Sequence, residues 1–275
     1  MRTFFETIGV AFSMFSALPV PKINWNKQNM RFLLAAFPLV GVVIGILEAL
    51  WICLSARFAF SMLLTAAGVT VLPILVTGGI HLDGYMDVSD ALSSYGDEQK
   101  RREILADPHI GAFAVIRLAV LLILTLGFAS VLSFESSSRF SSGAGWVLLF
   151  VCSFIVSRCL SGLAVAIFPL SKETGLAHTF QSAADRRLCI LFLGGQMLVT
   201  AVLMIAGGAS LGGAGCMIAA VLMLCCASGQ WIFLRKTAAL KFGGLSGDLN
   251  GWFLQKAELW MLAALAMAKA IQACC

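Results

Sequence analysis

The chain has 275 residues, of which 60% are hydrophobic and 12% charged, with a formal net charge of +5 and a mean hydropathy of +0.93. Soluble domains run near 45–50% apolar and about 25% charged, so one small core cannot hide this much apolar surface, and a soluble enzyme is excluded. The apolar runs are long and continuous, which calls for membrane helices; a transmembrane barrel would show segments of about ten alternating residues.

In chain order, the stretch 3–15 is apolar, lacks a strongly basic flank, and is followed by Pro19-Val20-Pro21 where a signal peptide would carry a small-residue cleavage site. It predicts an interfacial helix. Apolar runs of about the length that crosses the hydrocarbon core follow at residues 32–51, 58–82, 118–134 and 141–170, the last interrupted by Arg158. Between Arg187 and Arg235 lie 47 residues without a formal charge, enough for two spans with a turn in the glycine-rich stretch 207–213. A final run covers 252–267. The expected fold is all-α: a polytopic membrane bundle of about seven transmembrane helices plus the amino-terminal interfacial helix, forming one membrane domain over residues 1–275.

With the amino terminus inside, the loops at 1–31, 83–117, 171–187 and 235–251 hold 14 of the 19 Lys and Arg, against Arg57 and Arg139 in the opposite loops. That bias places the four basic loops in the cytoplasm. Because the basic residues flank apolar spans, the positive balance reports orientation in a bilayer and not a nucleic-acid partner. Of the nine cysteines, Cys53, Cys152, Cys159, Cys189, Cys216, Cys225 and Cys226 lie in apolar stretches without metal-ligand spacing. They read as small apolar residues, as does the terminal pair Cys274 and Cys275.

Seven of the 14 acidic residues fall between positions 83 and 107. Asp83, Asp87 and Asp90 are spaced i, i+4, i+7, which puts three carboxylates on one helix face with neighbours about 5–6 Å apart. Like charges so close repel unless a cation sits among them, and hard oxygen ligands suit Mg²⁺ or Mn²⁺, above all when a substrate adds phosphate oxygens. A solvated acidic face would mix in Lys at i+4; carboxylates at a membrane edge point to function. His81, two residues before Asp83, is a candidate base or ligand.

Three further cytoplasmic features can meet this cluster: the stretch 107–113 with His109 and Gly111, the glycine-rich stretch 241–251 with Gly247 and Asp248 followed by Glu258, and Arg158 in the inner half of the fourth span. Carboxylates for a divalent cation together with an intramembrane Arg for an anion describe a site for a diphosphate, attacked at one phosphorus by a hydroxyl while the other phosphate leaves. Nothing matches GxxxxGK[ST], so ATP hydrolysis of the P-loop type is excluded.

The stretch Gly78-Gly79-Ile80-His81-Leu82-Asp83-Gly84-Tyr85-Met86-Asp87-Val88-Ser89-Asp90 resembles the central motif of the cobalamin synthases, the adenosylcobinamide-GDP ribazoletransferases. The likeness continues through Asp107-Pro108-His109-Ile110-Gly111, Leu18-Pro19-Val20-Pro21, Phe37-Pro38-Leu39-Val40-Gly41, Ser157-Arg158, and Gly243-Gly244-Leu245-Ser246-Gly247-Asp248 with Glu258, in order along the chain. The resemblance implies a multi-pass enzyme of the bacterial cytoplasmic (inner) membrane. It would join adenosylcobinamide-GDP to alpha-ribazole or its 5'-phosphate, releasing GMP, with Mg²⁺ required and Mn²⁺ a substitute.

By that resemblance Asp83, Asp87, Asp90 and Asp248 hold the metal, His81 and Asp83 are catalytic, and Arg158, His109 and Gly247 bind substrate. A homo-oligomer and other cobalamin-assembly enzymes are the implied partners. Pro108 and His109 stand where the family usually has Ser and Arg, so a protonated His109 would take over a phosphate contact there. Lys172 stands where an Arg often precedes Gly175-Leu176. Two rivals fit less well. A CDP-alcohol phosphotransferase needs an Ala-Arg pair two residues after Asp-Gly, where this chain has Asp87-Val88, and a cation transporter needs carboxylates at mid-membrane. If the orientation holds, an Asp97→Cys variant will react with a membrane-impermeant thiol reagent from the cytoplasmic side only; reaction from the periplasmic side alone would reverse it.

Overall fold

A computed structural model describes residues 2–94, 96–132 and 140–274, and these are helical almost throughout. Phe134, Arg139 and Cys275, read above at a span end, in an outer loop and in the terminal cysteine pair, lie outside the described residues. The amino-terminal helix α1 (Arg2–Phe15) rests on α3, burying Val10 and Ala11 and leaving Phe4 and Phe5 exposed. A short α2 (Lys27–Met30) is held by a capping box, in which the Asn26 side chain accepts from the Gln28 and Asn29 amides at 2.9 and 3.0 Å. The first long apolar helix, α3 (Leu33–Arg57), then leads to α4 (Met62–Thr77).

The second apolar run does not continue as one span to Leu82. Gly78 and Gly79 both take positive φ, 64° and 79°, which glycine alone adopts without a steric penalty. The next helix, α5 (Ile80–Ser93), therefore leaves α4 at 97° and runs across the end of the bundle instead of through the membrane. There follow α6 (Glu98–Leu105), α7 (Ala112–Val131), α8 (Phe140–Ile167), α9 (Leu176–Ala183), α10 (Arg186–Val202), a π-helical turn at Leu203–Gly207, α11 (Gly208–Lys241) and α12 (Gly247–Cys274).

The turn expected across 207–213 is confined to its last glycine. Helical bonding runs on through the π turn, and the chain reverses at Gly213, with φ 74° and ψ −162°. A Cβ on Gly208 would lie 3.5 Å from the Cys216 carbonyl oxygen, whereas eight residues of straight helix rise about 12 Å. Among the described residues five stretches are long and apolar enough to cross a membrane, or six if α4 and α5 are taken together as one bent span. The reversal at Gly213 divides the 56-residue stretch Arg186–Lys241 into two, and the described residues have the make-up of a multi-pass membrane protein.

The four basic loops gather at one end of the bundle. There the Ala17 amide donates to Val76 O at 2.8 Å, Arg31 pairs with Asp185 at 2.6 Å, Arg102 Nε donates to Phe242 O at 2.9 Å, and the Ser171 amide donates to Leu245 O at 3.0 Å. At the other end Trp51 Nε1 donates to Thr65 O at 2.9 Å and Lys269 Nζ to Val131 O at 2.9 Å. Of the long apolar helices α8 is the most enclosed, packed by α3, α10, α11 and α12, and α7 the most exposed.

An ion pair sits inside this packing. Arg158 on α8 is 1% exposed and pairs with Glu258 on α12; its Nη1 also donates to Ser157 Oγ at 2.9 Å and Phe154 O at 3.1 Å. Ser157 in turn donates to Glu258 at 2.9 Å. The first apolar run also carries an ionisable side chain that its hydropathy conceals: Glu48 on α3 is fully buried and neither carboxyl oxygen has a hydrogen-bond partner among the described residues. Removing one partner of a buried pair leaves the other charge without compensation, at a cost of about 3–5 kcal/mol. A Glu258→Ala variant should lose stability on that scale in detergent-solubilised unfolding, and the paired Arg158→Met/Glu258→Leu variant should recover most of it.

Candidate active site

The sharp turn at Gly78 and Gly79 lays α5 across the basic end of the bundle, and its periodicity does the rest. Leu82, Tyr85, Val88, Ser89 and Ala91 are buried, which turns the face carrying Asp83, Asp87 and Asp90 outward. Asp83 is exposed, while Asp87 and Asp90 are half-buried. On this face a fourth carboxylate arrives from far along the chain. Gly84 packs directly on the first turn of α12: a Cβ there would stand 2.8 Å from both Asp248 Cα and its carbonyl oxygen. Only a residue without a side chain lets the two backbones come so close, and the contact sets Asp248 beside Asp83 and Asp87.

The electrostatics follow from that crowding. Burial, and then the charges of Asp83, Asp248 and Asp90, raise the Asp87 carboxyl from the ordinary carboxylate range to about 6. The loop before α7 closes the far side, since a Cβ on Gly111 would overlap the Asp90 carboxylate. Asp83, Asp87, Asp90 and Asp248 thus share one rim. Among the described residues no three His, Cys, Asp or Glu side chains converge closely enough to enclose an ion by themselves. The donor set nevertheless suits Mg²⁺, which is held through one or two carboxylates and completes its shell with water and phosphate oxygens. Four hard carboxylates crowded together, three half-buried and Asp83 exposed, leave the open positions such a shell needs.

The other residues singled out by sequence are placed differently. His81 is buried behind the rim, its ring 5.9 Å from Phe37, its backbone against Gly251, and its Nδ1 without a hydrogen-bond partner among the described residues. Arg158 lies deeper still, and a direct contact with a diphosphate would require its pair with Glu258 to open. His109 is at the surface, its side chain 89% exposed, its Nδ1 2.6 Å from Asp107. That neighbour is His109's own: hydrogen bonds from the His109 backbone and ring hold the Asp107 carboxyl below its usual range. Gly247 borders a cavity of about 240 Å³ next to Asp248, together with Arg102, Ser171 and Lys172.

Sequence reading passed over Glu48, inside an apolar run, and gave no role to Lys172 or Gly84. The signal for Gly84 was present in its place directly after Asp83, but the surface it packs against is 164 residues further on.

The sequence profile of the family described as cobalamin-5-phosphate synthase matches residues 7–266. The chain is similar to a protein of Lachnoclostridium phytofermentans, 38% identical over 97% of this chain and 95% of that one. It is also similar to one of Geobacillus kaustophilus, 32% identical over 94% and 96%, and to one of Clostridium perfringens, 30% identical over 92% and 94%. All three relatives are named adenosylcobinamide-GDP ribazoletransferase. No solved structure matches the chain. A match over nearly the whole length, carried by a chain whose acidic rim is built from both its first and last thirds, means that the chain belongs to the cobalamin-5-phosphate synthase family.

Proposed function

We propose that the chain is an adenosylcobinamide-GDP ribazoletransferase of the bacterial cytoplasmic membrane, joining adenosylcobinamide-GDP to alpha-ribazole or its 5'-phosphate and releasing GMP. The observation that carries this reading is the convergence of Asp83, Asp87 and Asp90 with Asp248 at the bundle end where the basic loops gather. In the reaction a ribose hydroxyl attacks the cobinamide-linked phosphorus, the bridging P–O bond of the diphosphate breaks, GMP departs with the bridging oxygen, and a phosphodiester forms. The hydroxyl proton needs an acceptor. Of the two candidates, His81 and Asp83, only Asp83 is exposed on the rim, while His81 backs it from the interior.

Asp83, Asp87, Asp90 and Asp248 would hold Mg²⁺, or Mn²⁺ in its place, whose chemistry is to neutralise charge on the diphosphate oxygens. The rim orients the diphosphate at the membrane surface. Arg158 supports it from below through Glu258, and Gly247 and His109 border the approach. The 14 Lys and Arg in the loops on the rim's side of the bundle speak for a site facing the cytoplasm by the positive-inside rule. The four carboxylates crowd one end of the bundle, where a substrate reaches them from water, which speaks for a transferase over a transporter. A homo-oligomer and contacts with other cobalamin-assembly enzymes belong to the same proposal.

Membranes carrying the protein, supplied with adenosylcobinamide-GDP, alpha-ribazole and Mg²⁺, should release GMP in step with product. Removing one charged group of the rim should cost at least about 100-fold in rate, so Asp83→Asn and Asp87→Asn should fall by that much, and EDTA should abolish turnover in the unsubstituted protein. Full activity in both variants would contradict the metal-site assignment.

A further inference from the structure

The cavity of about 240 Å³ beside Asp248 has a character of its own. Its walls come from the loop after α8, the start of α9, the end of α6 and the loop before α12, and they include Ser171, Lys172, Thr174 and Gly175. The pocket is pinned in shape. The Leu245 amide donates to Pro169 O at 2.8 Å and the Ser171 amide to Leu245 O at 3.0 Å, clipping the loop that carries Lys172 to the segment that opens α12. Arg102 is already committed, its Nε to Phe242 O at 2.9 Å and an Nη to Glu98 at 2.7 Å. Lys172 is not: it is exposed and makes no ion pair among the described residues, although its charge reaches Asp248.

Across the cavity α9 begins at Gly175, whose φ of 92° only glycine adopts freely, and no side chain caps its first turn. The Leu176 and Ala177 backbones border the cavity there. An unpaired ammonium, the Thr174 hydroxyl and an uncapped helix start form a donor set for a compact dianion, while the Ser171 hydroxyl is engaged with Leu245 O at 3.3 Å. The volume is below the roughly 300–1,000 Å³ that encloses a whole drug-sized ligand. It suits the phosphorylated end of a nucleotide whose base lies outside.

Resting on the proposed function, we propose that this cavity is a subsite for the phosphomonoester of a nucleotide, with Lys172 as its cation. Two groups in the reaction carry that chemistry: the 5'-phosphate of a phosphorylated acceptor and the phosphate of the released GMP.

The test uses the full-length protein in membranes, unsubstituted and with Lys172→Ala or Lys172→Arg. The readouts are KM for alpha-ribazole and for alpha-ribazole 5'-phosphate, the inhibition constant of GMP, and direct binding of both nucleotides to the purified protein. Loss of one charged contact should weaken the phosphate-bearing ligand about 10-fold or more, with Lys172→Arg restoring most of it. A rise in KM confined to the phosphorylated acceptor assigns the pocket to the acceptor. A rise in the GMP inhibition constant, with the two acceptors unchanged relative to one another, assigns it to the leaving nucleotide.

Equal values for all ligands in Lys172→Ala, or a loss of kcat alone without a phosphate-selective effect, would overturn the subsite. If the unsubstituted protein turns over nothing yet binds either nucleotide through Lys172, the subsite stands and the proposed activity fails.

Discussion

The contact on which the site depends is the approach of α5 to the first turn of α12, where Gly84 lies against the Asp248 backbone with no room for a side chain. Without it the chain would hold three carboxylates on one helix and a fourth elsewhere. With it the four share a rim, and the half-buried Asp87 responds to each of the other three. The contact is possible because Gly78 and Gly79 turn α5 through a near right angle at the end of a membrane helix. Steric freedom at three glycines thus sets the geometry, and the crowding of four acids raises the Asp87 carboxyl.

Below the rim the bundle is held by polar groups that lipid makes costly. Arg158 and Glu258 join α8 to α12, and Ser157 bonds to the same carboxylate. Since α12 also carries Asp248 and packs against α5, the buried pair fixes the helix on which half of the site depends. Charged groups within a membrane face the protein interior and pair with one another, and α8, the most enclosed long helix, is where that interior lies.

Much of the fold was legible because a bilayer imposes one dominant rule. Apolar length locates the crossings, and the distribution of Lys and Arg groups their loops, which the structure gathers at one end through contacts such as Arg31 with Asp185. The details that escaped were decided by single backbone conformations. Hydropathy does not show that the second span stops at Thr77 instead of Leu82, because Ile80 and Leu82 are apolar whichever way the helix points. Nor does it show which glycine of 207–213 makes the turn.

In the site, the i, i+4, i+7 spacing of the three Asp fixed their shared face from local geometry alone. The partnership with Asp248 is tertiary, and so is the fate of Arg158, whose charge looks available for an anion in the sequence and is spent on Glu258 in the fold.

If α5 and α12 form one carboxylate rim that carries the chemistry, a double-mutant cycle on kcat/KM will show it. The variants are Asp83→Glu, Asp248→Glu and the two together, which keep the charge and shift each carboxylate outward. Residues that act as one unit are non-additive, so the double variant should depart from the product of the single effects by about 10-fold or more. Effects that simply multiply would contradict it and place the two carboxylates in separate roles.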